Sequence, residues 1–164
     1  MSVTEITETV QYLTFKLDEE VFALDVAKVR EILEYSGITK VPRTPDFMRG
    51  VINLRGSVVP VIDLRLKFGM SATEQTVNTC IIVVEVELAD ETLILGLLAD
   101  SVQEVIEMEP AQIEAAPHIG THLDTAFIKG MGKHDNRFVM ILDIDRIFTG
   151  NDLSSLPAGD PPAM

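Results

Sequence analysis

The sequence predicts an all-β protein built as two similar β-barrels with a groove between them. Two observations carry this expectation. The first is a series of short, Val- and Ile-rich runs separated by turn residues, in a chain of 164 residues that is 46% hydrophobic. Closely spaced short strands of this kind form barrels and sandwiches. The second is an internal repeat. Residues 50–68 (GVINLRGSVVPVIDLRLKF) align without a gap on residues 130–148 (GMGKHDNRFVMILDIDRIF), an offset of 80, with identities at Gly50/Gly130, Val59/Val139, Asp63/Asp143 and Phe68/Phe148. Upstream, Val29-Arg30-Glu31-Ile32 matches Val102-Gln103-Glu104-Val105 at an offset of 73, so an insertion of seven residues reconciles the two matches. Similar segments recurring in the same order indicate a duplicated unit.

Each element has its own local signal. Residues 1–9 are polar and acidic and are expected to fray. Residues 10–17 (VQYLTFKL) alternate and predict a half-buried strand. Asp18-Glu19-Glu20 is a turn, and residues 21–24 are the return strand. Asp25 is placed to cap a short helix through Leu33, with Val26, Val29, Ile32 and Leu33 on one face. Residues 38–41 form a short strand stopped by Pro42 and Pro45. Residues 51–54 and 58–62 form a hairpin around Arg55-Gly56-Ser57, where Gly56 supplies the positive φ of a tight turn. Pro60 within that hairpin predicts an edge strand or a bulge. Residues 70–78 are polar and predict a linker. Residues 80–88, 93–99 and 102–108 are three further strands, and 110–125 a loop with one helical turn at most. Residues 127–132 and 137–142 form the second hairpin, and 143–148 a short helix. Asp63 and Asp143 each end a strand as a helix N-cap. The tail, 151–164, carries Pro157, Gly159, Pro161 and Pro162 and is expected to be loose. The expected organisation is one domain over 10–150, made of two intertwined barrel units, the second half beginning near residue 79.

Composition narrows the function. The formal charge of −13 argues against nucleic acid and bare anionic membranes as partners and suits basic protein surfaces. The one cysteine, Cys80, precludes an intrachain disulfide and fits a reducing compartment. No apolar run reaches the roughly 18 residues of a membrane span, and the N-terminus lacks a signal-peptide layout. A cytoplasmic protein without membrane insertion is expected.

No catalytic constellation assembles. There is no phosphate-binding G-x-x-x-x-G-K-[ST] loop and no G-x-S-x-G elbow. Gly130-Met131-Gly132 lacks the third glycine of a dinucleotide loop. His118 and His122 stand four apart, but Pro117 and Gly120 oppose the helix that would turn this spacing into a metal site. His134 is expected to be solvated and Cys80 to be a buried thiol. The expectation is no enzyme, no metal and no cofactor. What stands out instead is Arg55, the only charge between Gly50 and Ile62. A guanidinium does not titrate in the working pH range, so it suits recognition rather than catalysis. The second hairpin has Asp135-Asn136-Arg137 at its turn and no counterpart of Arg55.

DVAKVREIL, followed by ITKVPRTPDFMRGVINLRGSVVPVIDLRLKFG, resembles the CheW family of bacterial chemotaxis coupling proteins. The resemblance runs from Val10 to Phe148, and NLRG followed by PVIDLR is its most specific part. It implies two five-stranded SH3-like barrels packed around a shared core. It also implies an adaptor without catalytic activity that couples the cytoplasmic tips of chemoreceptors to the histidine kinase CheA. Neither a kinase ATP-binding region nor a receiver is present, so the chain is similar to the stand-alone coupler, cytoplasmic and recruited to membrane-associated arrays. The implied receptor-binding residues are Val29, Glu31, Gly50 and Arg55. Val29 is an apolar anchor, Arg55 a carboxylate clamp, and Glu31 either pairs with a receptor cation or orients Arg55. The resemblance implies that the CheA regulatory domain docks barrel to barrel, on contacts that the sequence does not name.

Overall fold

The computed structural model describes residues 9–35, 37–88, 91–114 and 127–147. The strands are β1 (Val10–Leu17), β2 (Glu20–Asp25), β3 (Val29–Glu34), β4 (Met48–Leu54), β5 (Ser57–Asp63), β6 (Cys80–Leu88), β7 (Glu91–Ala99), β8 (Ser101–Met108), β9 (Ile113–Glu114), β10 (Ile128–His134) and β11 (Arg137–Leu142). Single helical turns α1 (Leu64–Lys67) and α2 (Ile144–Ile147) follow β5 and β11. His118, His122, Phe148, the frayed start and the tail lie outside the described residues.

The strands form two sheets, one in the order β8-β1-β2-β11-β10-β9 and one in the order β3-β6-β7-β5-β4. The repeat is visible in these orders. At an offset of 80, β4, β5 and α1 map onto β10, β11 and α2, and the register shift at Gly50 recurs at Gly130. At an offset of 73, β3 maps onto β8. The antiparallel pair β1–β2 therefore stands in the first sheet where β6–β7 stands in the second. In each unit a parallel pairing joins it to the repeated hairpin, β2 to β11 and β7 to β5. The chain crosses between units after β2 and again after β7. These are two five-stranded units of SH3-like barrel type, with β9 added to one.

Most strands are buried on both faces, which explains their continuous apolar runs. Along β6, Ile81 and Val83 join a cluster private to the second unit, while Ile82, Val84 and Val86 join a larger cluster shared by both units. Along β1, Tyr12 faces the private cluster of the first unit, and Leu13, Phe15 and Leu17 the shared one. Phe15, Phe22, Phe68 and Phe127 stack in sequence through the shared core at centroid distances of 6.0, 5.7 and 4.6 Å. Offset aromatic stacking adds to the large area these rings bury.

Three expectations are corrected. The helix expected from Asp25 through Leu33 is a single 3-10 turn, Val26–Lys28, capped by Asp25 Oδ1 accepting from Ala27 N at 2.9 Å. Beyond it the chain is β3, with Val29, Glu31 and Leu33 half-buried and Arg30, Ile32 and Glu34 exposed. In so short a segment the helical and strand periods overlap. The open edge of β6, which pairs β3 from Val29↔Val84 to Glu34↔Cys80, decides between them. Pro60 lies in β5, an inner strand rather than an edge. It faces Val51 of β4, whose own N–H and C=O turn away to bond Thr39 at 2.8 and 2.9 Å. By the same alternation the Pro60 nitrogen faces β7, where pairing begins only at Val61. The 70–78 segment is not a loose linker. Thr73 and Thr79 are buried, and Thr73 is tied to Asp63.

Candidate functional site

The hairpin β4–β5 turns through Arg55 and Gly56, whose φ values of 52° and 88° are both positive. A two-residue hairpin turn requires this, because only that twist matches the flanking strands. Gly56 takes it freely, whereas Arg55 adopts a left-handed conformation that side chains other than Asn and Asp rarely occupy. The Asn53 Oδ1 atom stabilises the turn by accepting from Gly56 N at 2.8 Å. The second hairpin makes the same turn with Asp135 and Asn136, at 51° and 62°, residues suited to it. The arginine therefore occupies a turn position that would accept cheaper residues.

Arg55 does not extend freely into water. Its Nη1 donates to Glu31 Oε2 at 2.7 Å and its Nη2 to Glu31 Oε1 at 3.1 Å. This two-pronged pair is the geometry that guanidinium and carboxylate favour. The Glu31 carboxylate thereby fixes the direction of the Arg55 guanidinium. The Arg55 side chain is 74% exposed and that of Glu31 27%, so the pair is seated on one side and open on the other. The hydrogen bond from Arg55 holds the Glu31 carboxyl below its ordinary value, and Arg30 adds to this. Glu31 in turn raises the Arg55 guanidinium.

A lowered Glu31 pKa means that the pair is intact above the ordinary carboxylate range and is lost as pH falls through the folded-state value. An NMR titration of the Glu31 carboxyl is expected to show a higher midpoint in Arg55→Ala than in the parent chain. An unchanged midpoint refutes the pairing.

The pair borders a groove of about 610 Å³, lined by Arg30, Glu31, Leu54, Arg55, Ser57–Val59 and Glu91–Ile94. All of these lie on β3, β4, β5, β7 or the β4–β5 turn, so the groove belongs to the second unit alone. The expectation of a groove between the barrels is corrected for the Arg55 site, because the curvature of one sheet brings its β3 edge to its own hairpin turn. The β7 wall was not legible in the sequence, since only strand order places it beside β5. Another ion pair on the rim, Arg30–Glu85, ties β3 to β6.

The other two expected residues sit deeper. Val29 opens β3 half-buried and packs against the shared core. Gly50 is buried with φ at +148°, and a Cβ there would lie 2.2 Å from Thr39 O and 2.7 Å from Ile38 Cγ2. Its backbone is what the site needs, because Thr39 must approach β4 closely to bond Val51.

At the pseudo-equivalent place in the first unit, Glu104 and Asp135 stand where Glu31 and Arg55 stand in the second. His134 Nε2 lies 3.4 Å from Asp135 Oδ2 and 3.9 Å from Glu104 Oε2, and the His134 side chain is 32% exposed. Cys80, expected to be buried, is half-buried at the start of β6. Desolvation pushes its thiol pKa up, away from the reactive thiolate. Among the described residues no three His, Cys, Asp or Glu side chains gather as metal ligands, and no helix is long and apolar enough to cross a membrane.

Comparison with known proteins agrees with this geometry. A family profile described as a CheW-like domain matches residues 11–151. The chemotaxis protein CheW of Klebsiella aerogenes is 34% identical over 144 residues, covering 88% of this chain and 84% of that protein. The chemotaxis protein CheW of Thermotoga maritima is 34% identical over 140 residues, covering 84% and 86%. Among solved structures, the scaffolding protein TtCheW from Thermoanaerobacter tengcongensis matches with a TM-score of 0.78 and 35% identity, over 93% of this chain and 95% of that one. With its duplicated barrels and its NLRG hairpin turn, the chain belongs to the CheW family of chemotaxis coupling proteins.

Proposed function

We propose that this chain is a non-enzymatic adaptor that couples membrane chemoreceptors to the histidine kinase CheA in bacterial chemotaxis. The observation that carries this reading is Arg55, held on a left-handed turn and aimed by Glu31 over a groove, in one of the two units only. A fixed charge that cannot titrate, beside a half-apolar groove, suits the docking of another protein and no chemistry. The receptor's cytoplasmic tip is the partner at this site. Arg55 and Glu31 make the polar contacts, Val29 supports the β3 wall from the shared core, and Gly50 sets the course of β4. CheA docks through its regulatory domain on another face. Exposed Ile32 on β3 and Val105 on β8 offer it apolar edge area, being 43% and 53% exposed. The adaptor domain spans residues 10–150, acts in the cytoplasm at membrane-associated receptor arrays, and needs no cofactor.

The test is Arg55→Ala. Losing this charge-assisted contact is expected to weaken receptor binding by on the order of tenfold or more. CheA affinity and melting temperature are expected to stay unchanged. Normal receptor-dependent kinase activation by the folded variant refutes the assignment.

A further inference from the structure

We infer that the start of β7 forms a second wall of the Arg55 groove and selects the helix that docks there, with Leu93 as apolar floor and Glu91 as the contact for a basic residue. This rests on the reading of the groove as the receptor site and extends it to a strand that the receptor-binding residues argued from the sequence do not include. Three observations carry it. First, Leu54, Val58 and Leu93 are all half-buried and line the same groove, so an apolar ridge laid there buries area on both sides of the hairpin. Second, β5 and β7 pair only from Val61↔Gly96 to Asp63↔Leu98, so the two strands part beside Ser57–Val59 and Glu91–Ile94 and the groove opens between them. The cleft is lined by side chains from both strands, Val58 on one and Leu93 on the other, a seat for the apolar ridge of a helix laid in a groove. Third, the charges on the rim are unequal. Arg55 is paired with Glu31 and Arg30 with Glu85, whereas exposed Glu91 has no ion pair among the described residues. An approaching chain meets arginines on the β3 and hairpin side and a lone carboxylate on the β7 side. The complementary partner is an amphipathic helix whose apolar ridge is flanked by an acidic residue towards Arg55 and a basic residue towards Glu91. Electrostatic complementarity of this kind fixes orientation as well as partner choice.

The experiment measures binding of the full chain to a purified helical-hairpin fragment of a chemoreceptor tip, and separately to CheA, for Arg55→Ala, Leu93→Asp, Leu93→Gln and Glu91→Lys. The expected result is a tenfold or greater loss of receptor affinity for Leu93→Asp and at least a threefold loss for Glu91→Lys. CheA affinity is expected to hold within twofold. Leu93→Gln replaces Leu93→Asp if the aspartate variant does not fold. Loss with Arg55→Ala but not with both β7 variants overturns the inference and leaves the receptor-site reading standing. Loss with both β7 variants but not with Arg55→Ala supports the inference and removes the role given to Arg55. No loss with any of them overturns both.

Discussion

The Asp63→Ala variant is expected to lose about 3–4 kcal/mol of unfolding free energy and to melt roughly 10 °C lower. Asp63 is fully buried. Its carboxylate accepts from Arg49 Nη1 at 2.9 Å, Thr73 N at 2.9 Å, Thr73 Oγ1 at 2.7 Å and Arg65 N at 3.1 Å. One side chain thus ties the end of β5 to β4, caps α1 and pins the irregular 70–78 segment. Its removal leaves the half-buried Arg49 guanidinium, among the described residues, with only the Thr73 carbonyl at 3.1 Å as a hydrogen-bond partner. It also leaves the Thr73 amide and hydroxyl unsatisfied in the interior, and such orphaned groups are what makes deletion of one partner costly. The repeat supplies a control. Asp143 occupies the same position in the second hairpin, but its side chain is 22% exposed and meets Arg146 Nε at 3.5 Å. Asp143→Ala is expected to cost under about 1 kcal/mol. Denaturant unfolding of the two variants side by side measures the difference. Equal losses refute the account of Asp63.

Gly50→Ala is expected to cost about 3 kcal/mol, although it adds one methyl group. The conformation at φ +148° is nearly confined to glycine, and the new Cβ would stand 2.2 Å from Thr39 O, 2.8 Å from Thr39 C and 2.7 Å from Ile38 Cγ2. Backbone atoms cannot step aside as a flexible side-chain end can. The Thr39–Val51 bridge is therefore expected to open, and hydrogen exchange at both amides to accelerate. A receptor-binding defect in this variant is expected to arrive together with lost stability, whereas Arg55→Ala shows the defect alone. Unchanged melting for Gly50→Ala refutes the steric argument.

The hairpins were legible because their signals are local. Tight turns need residues that tolerate positive φ, and Gly56 and Asn136 stand where the chain turns. Asp63 at the end of β5 and Asp143 just after β11 announced a strand followed by a helical turn. The repeat was legible because equivalent strands face equivalent surroundings, so Val29-Arg30-Glu31-Ile32 and Val102-Gln103-Glu104-Val105 carry the same pattern at matching strands. The residues 29–34 themselves were misread as helix because VREILE satisfies both periods. Nothing local reports that β6 has an open edge waiting for them. Thr73 looked like part of a polar linker, since its partner Asp63 is ten residues away.

The sequence alone determined most of the strands, the two repeated hairpins, the duplication and the presence of one turn with an arginine where its twin has aspartate. These follow from φ preference and from alternation of apolar residues, which act over a few neighbours. Only the tertiary structure decided that β1–β2 completes the unit of β8–β11, that Glu31 lies against Arg55, and that the groove belongs to one unit with β7 as its wall. Those outcomes depend on which strand edges meet and on the curvature of the sheet, and residues 24 positions apart, as Glu31 and Arg55 are, become neighbours only when the whole barrel is formed.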